Sequence, residues 1–212
     1  MSNNASQKVG FIGLGIMGAP MAGHLIDAGH TLFVNTRGKV PDALAAKAQA
    51  CANAAEVARK ADVIFIMVPD TPDVEKVLFG ENGVAAGLSK GKIVVDCSSI
   101  DPISTQGFAK RIGELGCGYV DAPVSGGEVG AKAASLTIMC GGDEKTFESV
   151  RPLLEKMGKN VTLVGDAGYC PGPAVGGSTS LAVLGAYGLA GELERSGADH
   201  VAAFAGQKRR VP

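Results

Sequence analysis

Between Lys8 and Gly165, short apolar runs alternate with longer amphipathic stretches, which predicts strand–helix–strand units built around a parallel sheet. The runs that read as strands are Val9–Ile12, Leu32–Asn35, Asp62–Val68, Lys92–Cys97, Gly118–Asp121, Leu136–Cys140 and Val161–Val164. Helix signals stand between them. Thr71-Pro72 pairs a capping hydroxyl with a proline at the first helical position, and Asn53 with Glu56 reads as a capping box. Asp143 to Met157 reads as helix, with Pro152 expected to kink it or to start a fresh turn.

The texture changes after Val164. Residues 165 to 177 are dense in glycine and proline and read as a linker or loop. From Ser178 to about Ala205 the alanine and leucine content permits one or two helices, each weakened by Gly185, Gly188, Gly191 or Gly197. The expected division is therefore a main α/β domain over 1–165 and a short helical tail over 166–212.

Composition narrows the function classes. At 212 residues the chain has room for one sizeable core and an appendage. Apolar residues make up 46% and charged residues 19%, which suits a well-buried globular protein. A formal charge of -1 argues against nucleic acid as a partner, because phosphate contacts need a basic stripe and only Lys208, Arg209 and Arg210 cluster. The five cysteines and three histidines lack metal-ligand spacing, so no metal is expected. No apolar run approaches membrane-spanning length, and Met1 to Gln7 has no signal-peptide character. The expected location is the cytoplasm.

The chemistry-bearing signal comes first in the chain. Directly after the first strand run stands Gly13-Leu14-Gly15-Ile16-Met17-Gly18, followed by a helix-compatible run to Ala28. In that context Gly13 permits the tight turn, Gly15 lets backbone approach a pyrophosphate, and Gly18 lets helix and strand pack closely, while N–H groups at the helix start face the anion. This predicts a Rossmann-type, doubly wound, mostly parallel sheet that binds a nicotinamide dinucleotide. Sites that select NAD end the second strand in an acid. Here that position reads Asn35-Thr36-Arg37, which accommodates a 2′-phosphate, so NADP is the expected cofactor and NAD the alternative.

Later strand ends supply further candidates. Val68-Pro69 and Cys97-Ser98-Ser99 fall where open parallel sheets hold ligands, so Val68, Pro69, Ser98 and Ser99 are candidates to line the nicotinamide half; taken alone they also read as a strand terminator and a helix cap. In Asp121-Ala122-Pro123-Val124-Ser125-Gly126-Gly127 small residues leave N–H groups accessible and the Ser125 hydroxyl is free for a carboxylate, although in isolation this is also a turn.

Four segments in order, Phe11 to Met21, Ile66 to Pro72, Phe79 to Gly83 and Asp121 to Glu128, resemble the β-hydroxyacid dehydrogenase family. The resemblance covers Lys8 to about Gly165. It implies reversible hydride transfer between a nicotinamide and a small-molecule substrate: tartronate semialdehyde, giving glycerate as in glyoxylate metabolism, with 3-hydroxyisobutyrate as the alternative. It also implies that the glycine loop holds pyrophosphate, that Val68, Pro69 and Ser99 flank the nicotinamide ribose, and that Ser125, Gly126 and Gly127 take the substrate carboxylate.

The family pattern continues into a helix bearing a lysine proton donor and an asparagine one turn later, within a large helical domain that builds the dimer. This sequence departs from it there. No lysine occurs between Lys159 and Lys208, no asparagine follows Asn160, and Pro171, Gly172 and Pro173 stand where that helix begins. The catalytic residues are accordingly unassigned. Three explanations stay open: a frameshift near residue 165, a diverged dinucleotide-binding protein without turnover, and an enzyme with another donor such as Tyr169, Tyr187 or His200. Homo-oligomers are expected to be compromised, with an apolar patch left uncovered.

Overall fold

The computed structural model describes residues 6–164. The linker at 165 to 177, the expected tail helices, the candidate donors Tyr169, Tyr187 and His200, and the Lys208–Arg210 cluster lie outside the described residues.

Six strands form one sheet: β1 (Lys8–Ile12), β2 (Thr31–Asn35), β3 (Gln49–Ala50), β4 (Val63–Ile66), β5 (Ile93–Asp96) and β6 (Gly118–Asp121). Their spatial order is β3-β2-β1-β4-β5-β6, and every neighbouring pair is parallel. This is the doubly wound order, in which chain direction across the sheet reverses between β1 and β4. The alternation of side chains along each strand divides the core in two. Val9 and Phe11 of β1, Leu32 and Val34 of β2 and Val63 and Phe65 of β4 face one layer, with Phe11 and Phe65 stacked at 5.9 Å. Ile12, Phe33, Ile64 and Ile66 face the other.

Helices cover both faces because parallel strands need crossovers. On the first face lie α1 (Gly18–Asp27), the short α2 (Asp42–Ala45) and α7 (Glu144–Leu154), which contribute Met21, Leu25, Leu44, Phe147 and Leu153. On the second lie α3 (Ala54–Lys60), α4 (Thr71–Phe79) and α5 (Pro102–Glu114), through Val57, Val74, Leu78, Phe108 and Ile112. The expected capping box starts α3: Asn53 accepts from the Glu56 N–H at 2.9 Å, and the Glu56 carboxylate accepts from the Ala52 N–H at 2.7 Å.

Four expectations change. The strands expected at Leu136–Cys140 and Val161–Val164 do not extend the parallel sheet. β7 (Val124–Ser125), β8 (Leu136–Cys140) and β9 (Gly158–Leu163) form a second sheet in which β7 and β8 are antiparallel, since the short α6 (Gly127–Lys132) returns the chain in the opposite direction. A single antiparallel bridge, Asp121 to Gly141, ties that sheet to β6. The cap of α4 is Asp70, whose carboxylate accepts from the Thr71 N–H at 2.7 Å, whereas the Thr71 hydroxyl accepts from the Asp101 N–H. Of the two outcomes expected at Pro152, a fresh turn does not occur: α7 runs on through it to Leu154. The strand expected over Asp62–Val68 is shorter, because the Val68 N–H leaves the ladder for the Ser98 hydroxyl at 3.1 Å.

Helix α3 sits so close to β1 that a Cβ on Gly10 would lie 2.5 Å from Val57 Cγ1 and 3.2 Å from Ala61 Cβ. Gly10→Ala should destabilise the fold by about 1–3 kcal/mol through overpacking. A denaturant midpoint equal to that of the parent chain would contradict this contact.

Candidate functional site

The glycine loop leaves β1 at the point where sheet order reverses, and its backbone geometry explains each glycine. Gly13 has φ +95°, and a Cβ there would meet the Met67 carbonyl oxygen at 2.1 Å. Gly18 opens α1 with its Cα over the turn, so that a Cβ would meet the Gly13 carbonyl oxygen at 1.9 Å. Gly15 differs: nothing lies within 4 Å of its added Cβ, which would project into open space. The loop is tied to β2 by two bonds, from the Gly13 N–H to the Asn35 carbonyl at 3.0 Å and from the Leu14 N–H to Thr36 Oγ1 at 3.4 Å.

Gly15 also lines a cleft of about 520 Å³ at the carboxyl ends of β1, β2 and β4. Its walls are Ile12 to Gly18, Asn35 to Arg37, Met67 to Pro69, Val77 and Ser99. Gly13, Leu14, Gly15, Ile16, Met17, Gly18, Asn35, Thr36, Arg37, Val68, Pro69 and Ser99 are thereby brought together as one lining. Among the described residues, the N–H groups of Gly15, Ile16 and Met17 have no protein acceptor. Met17, the N-cap residue of α1, makes no side-chain cap, and the first turn carries no acid. Every other described α-helix has one or the other. Unsatisfied amides and the positive end of a helix dipole therefore face the cleft together, which is the arrangement an anionic diphosphate requires. The free volume above Gly15 leaves room for its approach. These residues fit a dinucleotide.

The cleft rim carries one cation among the described lining residues. Arg37 Nη2 lies 2.9 Å from Asp73 Oδ1 in the first turn of α4. Asn35 is partly committed as well, its Nδ2 donating to the Cys51 carbonyl at 3.0 Å. Asp73, Met67, Ile12 and Val77 were not legible as site residues. Nothing in the local sequence distinguishes Val77 from the core positions Val74 and Leu78 beside it.

Ser98 and Ser99 part company. Ser99 lines the cleft, whereas Ser98 is buried behind it with its hydroxyl holding the Val68 N–H. Behind Ser98 stands Asp96, fully buried at the end of β5; it accepts from the Ser98 N–H at 3.0 Å and from the Tyr119 hydroxyl at 3.0 Å. Burial pushes its carboxyl up to about 6, against the opposing pull of those hydrogen bonds. Ser125, Gly126 and Gly127 do not line the cleft. They stand exposed where β7 meets α6, with Gly126 at φ +132° and Gly127 at φ +58°. Helix α6 is held against α1 by His24 Nε2, which donates to the Ala131 carbonyl at 2.8 Å.

A family model described as the NAD binding domain of 6-phosphogluconate dehydrogenase matches residues 8–165. The 2-hydroxy-3-oxopropionate reductase of Escherichia coli (strain K12) is 58% identical over 162 residues, 76% of this chain and 56% of that protein. The mitochondrial 3-hydroxyisobutyrate dehydrogenase of Mus musculus is 41% identical over 164 residues, 76% of this chain and 48% of that one. The chain thus spans about half the length of the curated relatives it matches. Among solved structures, a Mycobacterium tuberculosis 3-hydroxyisobutyrate dehydrogenase with L-serine superposes with a TM-score of 0.73 at 27% identity, covering 93% of this chain and 68% of that one. Psf3 in complex with NADP+ and 2-OPP superposes with 0.72 at 30% identity, covering 96% and 69%.

Two outcomes follow from the loop and the buried acid. Gly15→Ala should leave stability within about 0.5 kcal/mol of the parent, whereas Gly18→Ala should lower it by about 1–3 kcal/mol, read from denaturant midpoints. Equal losses would mean that Gly15 is not open. For Asp96, the folded pKa of about 6 lies above the ordinary 3.8, so the folded state holds the extra proton between those values and this group's contribution to stability is lost as pH rises through 6. The stability of the parent minus that of Asp96→Asn should therefore fall by roughly 1–3 kcal/mol from pH 4 to pH 7. A difference that stays flat or rises would contradict the buried, proton-retaining carboxyl.

Proposed function

Because the chain belongs to the β-hydroxyacid dehydrogenase family, with residues 8–165 as its NAD-binding domain, we propose that it binds NADP, with NAD as the lesser ligand, as the cofactor half of a tartronate semialdehyde reductase. The observation that carries the reading is the trio of unpaired amides at Gly15, Ile16 and Met17 beside an uncapped, acid-free helix start. Gly13 to Gly18 hold the diphosphate, and Asn35, Thr36 and Arg37 meet the adenosine ribose and its 2′-phosphate. Val68, Pro69 and Ser99 face the nicotinamide ribose, and Ser98 acts through Val68 by fixing its N–H. Ser125, Gly126 and Gly127 take the substrate carboxylate. The bound reduced nicotinamide supplies the hydride that an aldehyde carbon accepts. The 58% identity to a 2-hydroxy-3-oxopropionate reductase favours tartronate semialdehyde, giving glycerate, over 3-hydroxyisobutyrate.

Reduction also needs a proton on the developing alkoxide, and the family's lysine and asparagine have no counterpart in this sequence after Asn160. That observation favours a second reading, in which the chain binds dinucleotide without turning substrate over. Calorimetric titration with NADPH and a steady-state assay with tartronate semialdehyde separate the two. The cofactor reading expects saturable NADPH binding, weakened at least about tenfold in Gly15→Ala, which adds a methyl group to the lining where the diphosphate approaches the backbone. Turnover above blank supports the reductase, and binding without turnover supports the second reading. Absence of NADPH binding by the parent chain contradicts both.

A further inference from the structure

The Arg37–Asp73 pair is more than a fold contact. The Arg37 side chain is 76% exposed and that of Asp73 29%, so the pair adds little to stability. Its placement matters instead. Arg37 lines the cleft just beyond β2, and Val77, one turn after Asp73 on the same face of α4, lines it too. Asp73 therefore belongs to the face of α4 that borders the ribose end. Sites selective for NAD carry a carboxylate at the end of the second strand, where it accepts from ribose hydroxyls and repels a 2′-phosphate. Here β2 ends in Asn35, and the carboxylate on this rim comes from α4, already holding the rim's cation.

We propose that Asp73 is a specificity-determining residue: by holding Arg37 and setting a negative charge beside it, Asp73 weakens the preference for a 2′-phosphorylated dinucleotide and keeps the cleft open to the unphosphorylated one. A 2′-phosphate has to share Arg37 with a competing anion, whereas NAD leaves the pair as it stands. This inference rests on the cofactor reading above. The charges are partly exposed, so the effect is screened by salt.

The test is calorimetric titration of the full chain with NADPH and NADH, in the parent, Asp73→Asn and Asp73→Ser, each also combined with Arg37→Gln. Serine keeps a residue suited to a first helical turn while removing the charge, which guards against a folding defect in the asparagine variant. Either single variant should tighten NADPH about fivefold at low salt, leave NADH within about twofold, and lose most of the gain at high salt. In the Arg37→Gln background the gain should vanish. NADPH binding by the parent with an unmoved NADPH-to-NADH ratio in both variants, or a gain that survives Arg37→Gln, overturns this inference alone. A parent chain that binds neither nucleotide overturns the cofactor reading and this inference with it.

Discussion

At the turn between β1 and α1, backbone passes backbone more closely than any side chain permits. The Met67 carbonyl occupies the place of a Cβ on Gly13, and the Gly13 carbonyl occupies the place of one on Gly18. This approach seats the start of α1 directly on the carboxyl end of the central strands and leaves the intervening amides turned outward. The cleft, its anion-seeking character and its position at the reversal of strand order all depend on it.

The two-sided core keeps that turn rigid. Strands alternate between the two layers, so each flanking helix is fixed by its own apolar stripe and the central strands are covered on both faces. Behind the cleft the same sheet carries a buried polar chain, Tyr119 to Asp96 to Ser98 to the Val68 N–H, which sets the end of β4 against the end of β5. Buried polar groups are costly unless satisfied, and here each link fixes the next. The polar chain thus positions one wall of the cleft without touching its contents.

What was legible in the sequence and what was not divide along physical lines. The glycine loop, β1, β2 and the Asn53–Glu56 box were legible because their signals are local: spacing, periodicity and a cap three residues from its partner. Twelve residues read as cofactor contacts line one cleft, because strand ends in a parallel sheet share an edge. The second sheet was not legible, since Leu136–Cys140 has the same apolar texture whether its partner runs parallel or antiparallel. β3 was missed because Gln49–Ala50 is a two-residue, exposed edge strand with no periodicity to read. Ser98 and Ser99 are neighbours in the turn beyond β5, yet one is buried behind the wall and the other lies on it, a difference that no local pattern encodes. The Arg37–Asp73 pair joins residues from separate elements, and no local pattern encodes such a meeting.

The chain belongs to the β-hydroxyacid dehydrogenase family, and in it backbone shape sets the cleft while the Arg37–Asp73 pair stands on its rim. The central claim is that the amides of Gly15, Ile16 and Met17 are the diphosphate cradle. It is tested most directly by backbone-amide NMR of the full chain during titration with NADPH. These three amides are expected to shift first and furthest, with smaller shifts at Thr36 and Arg37. Saturable binding in which those three signals stay put, while the largest shifts fall away from the cleft, would contradict it.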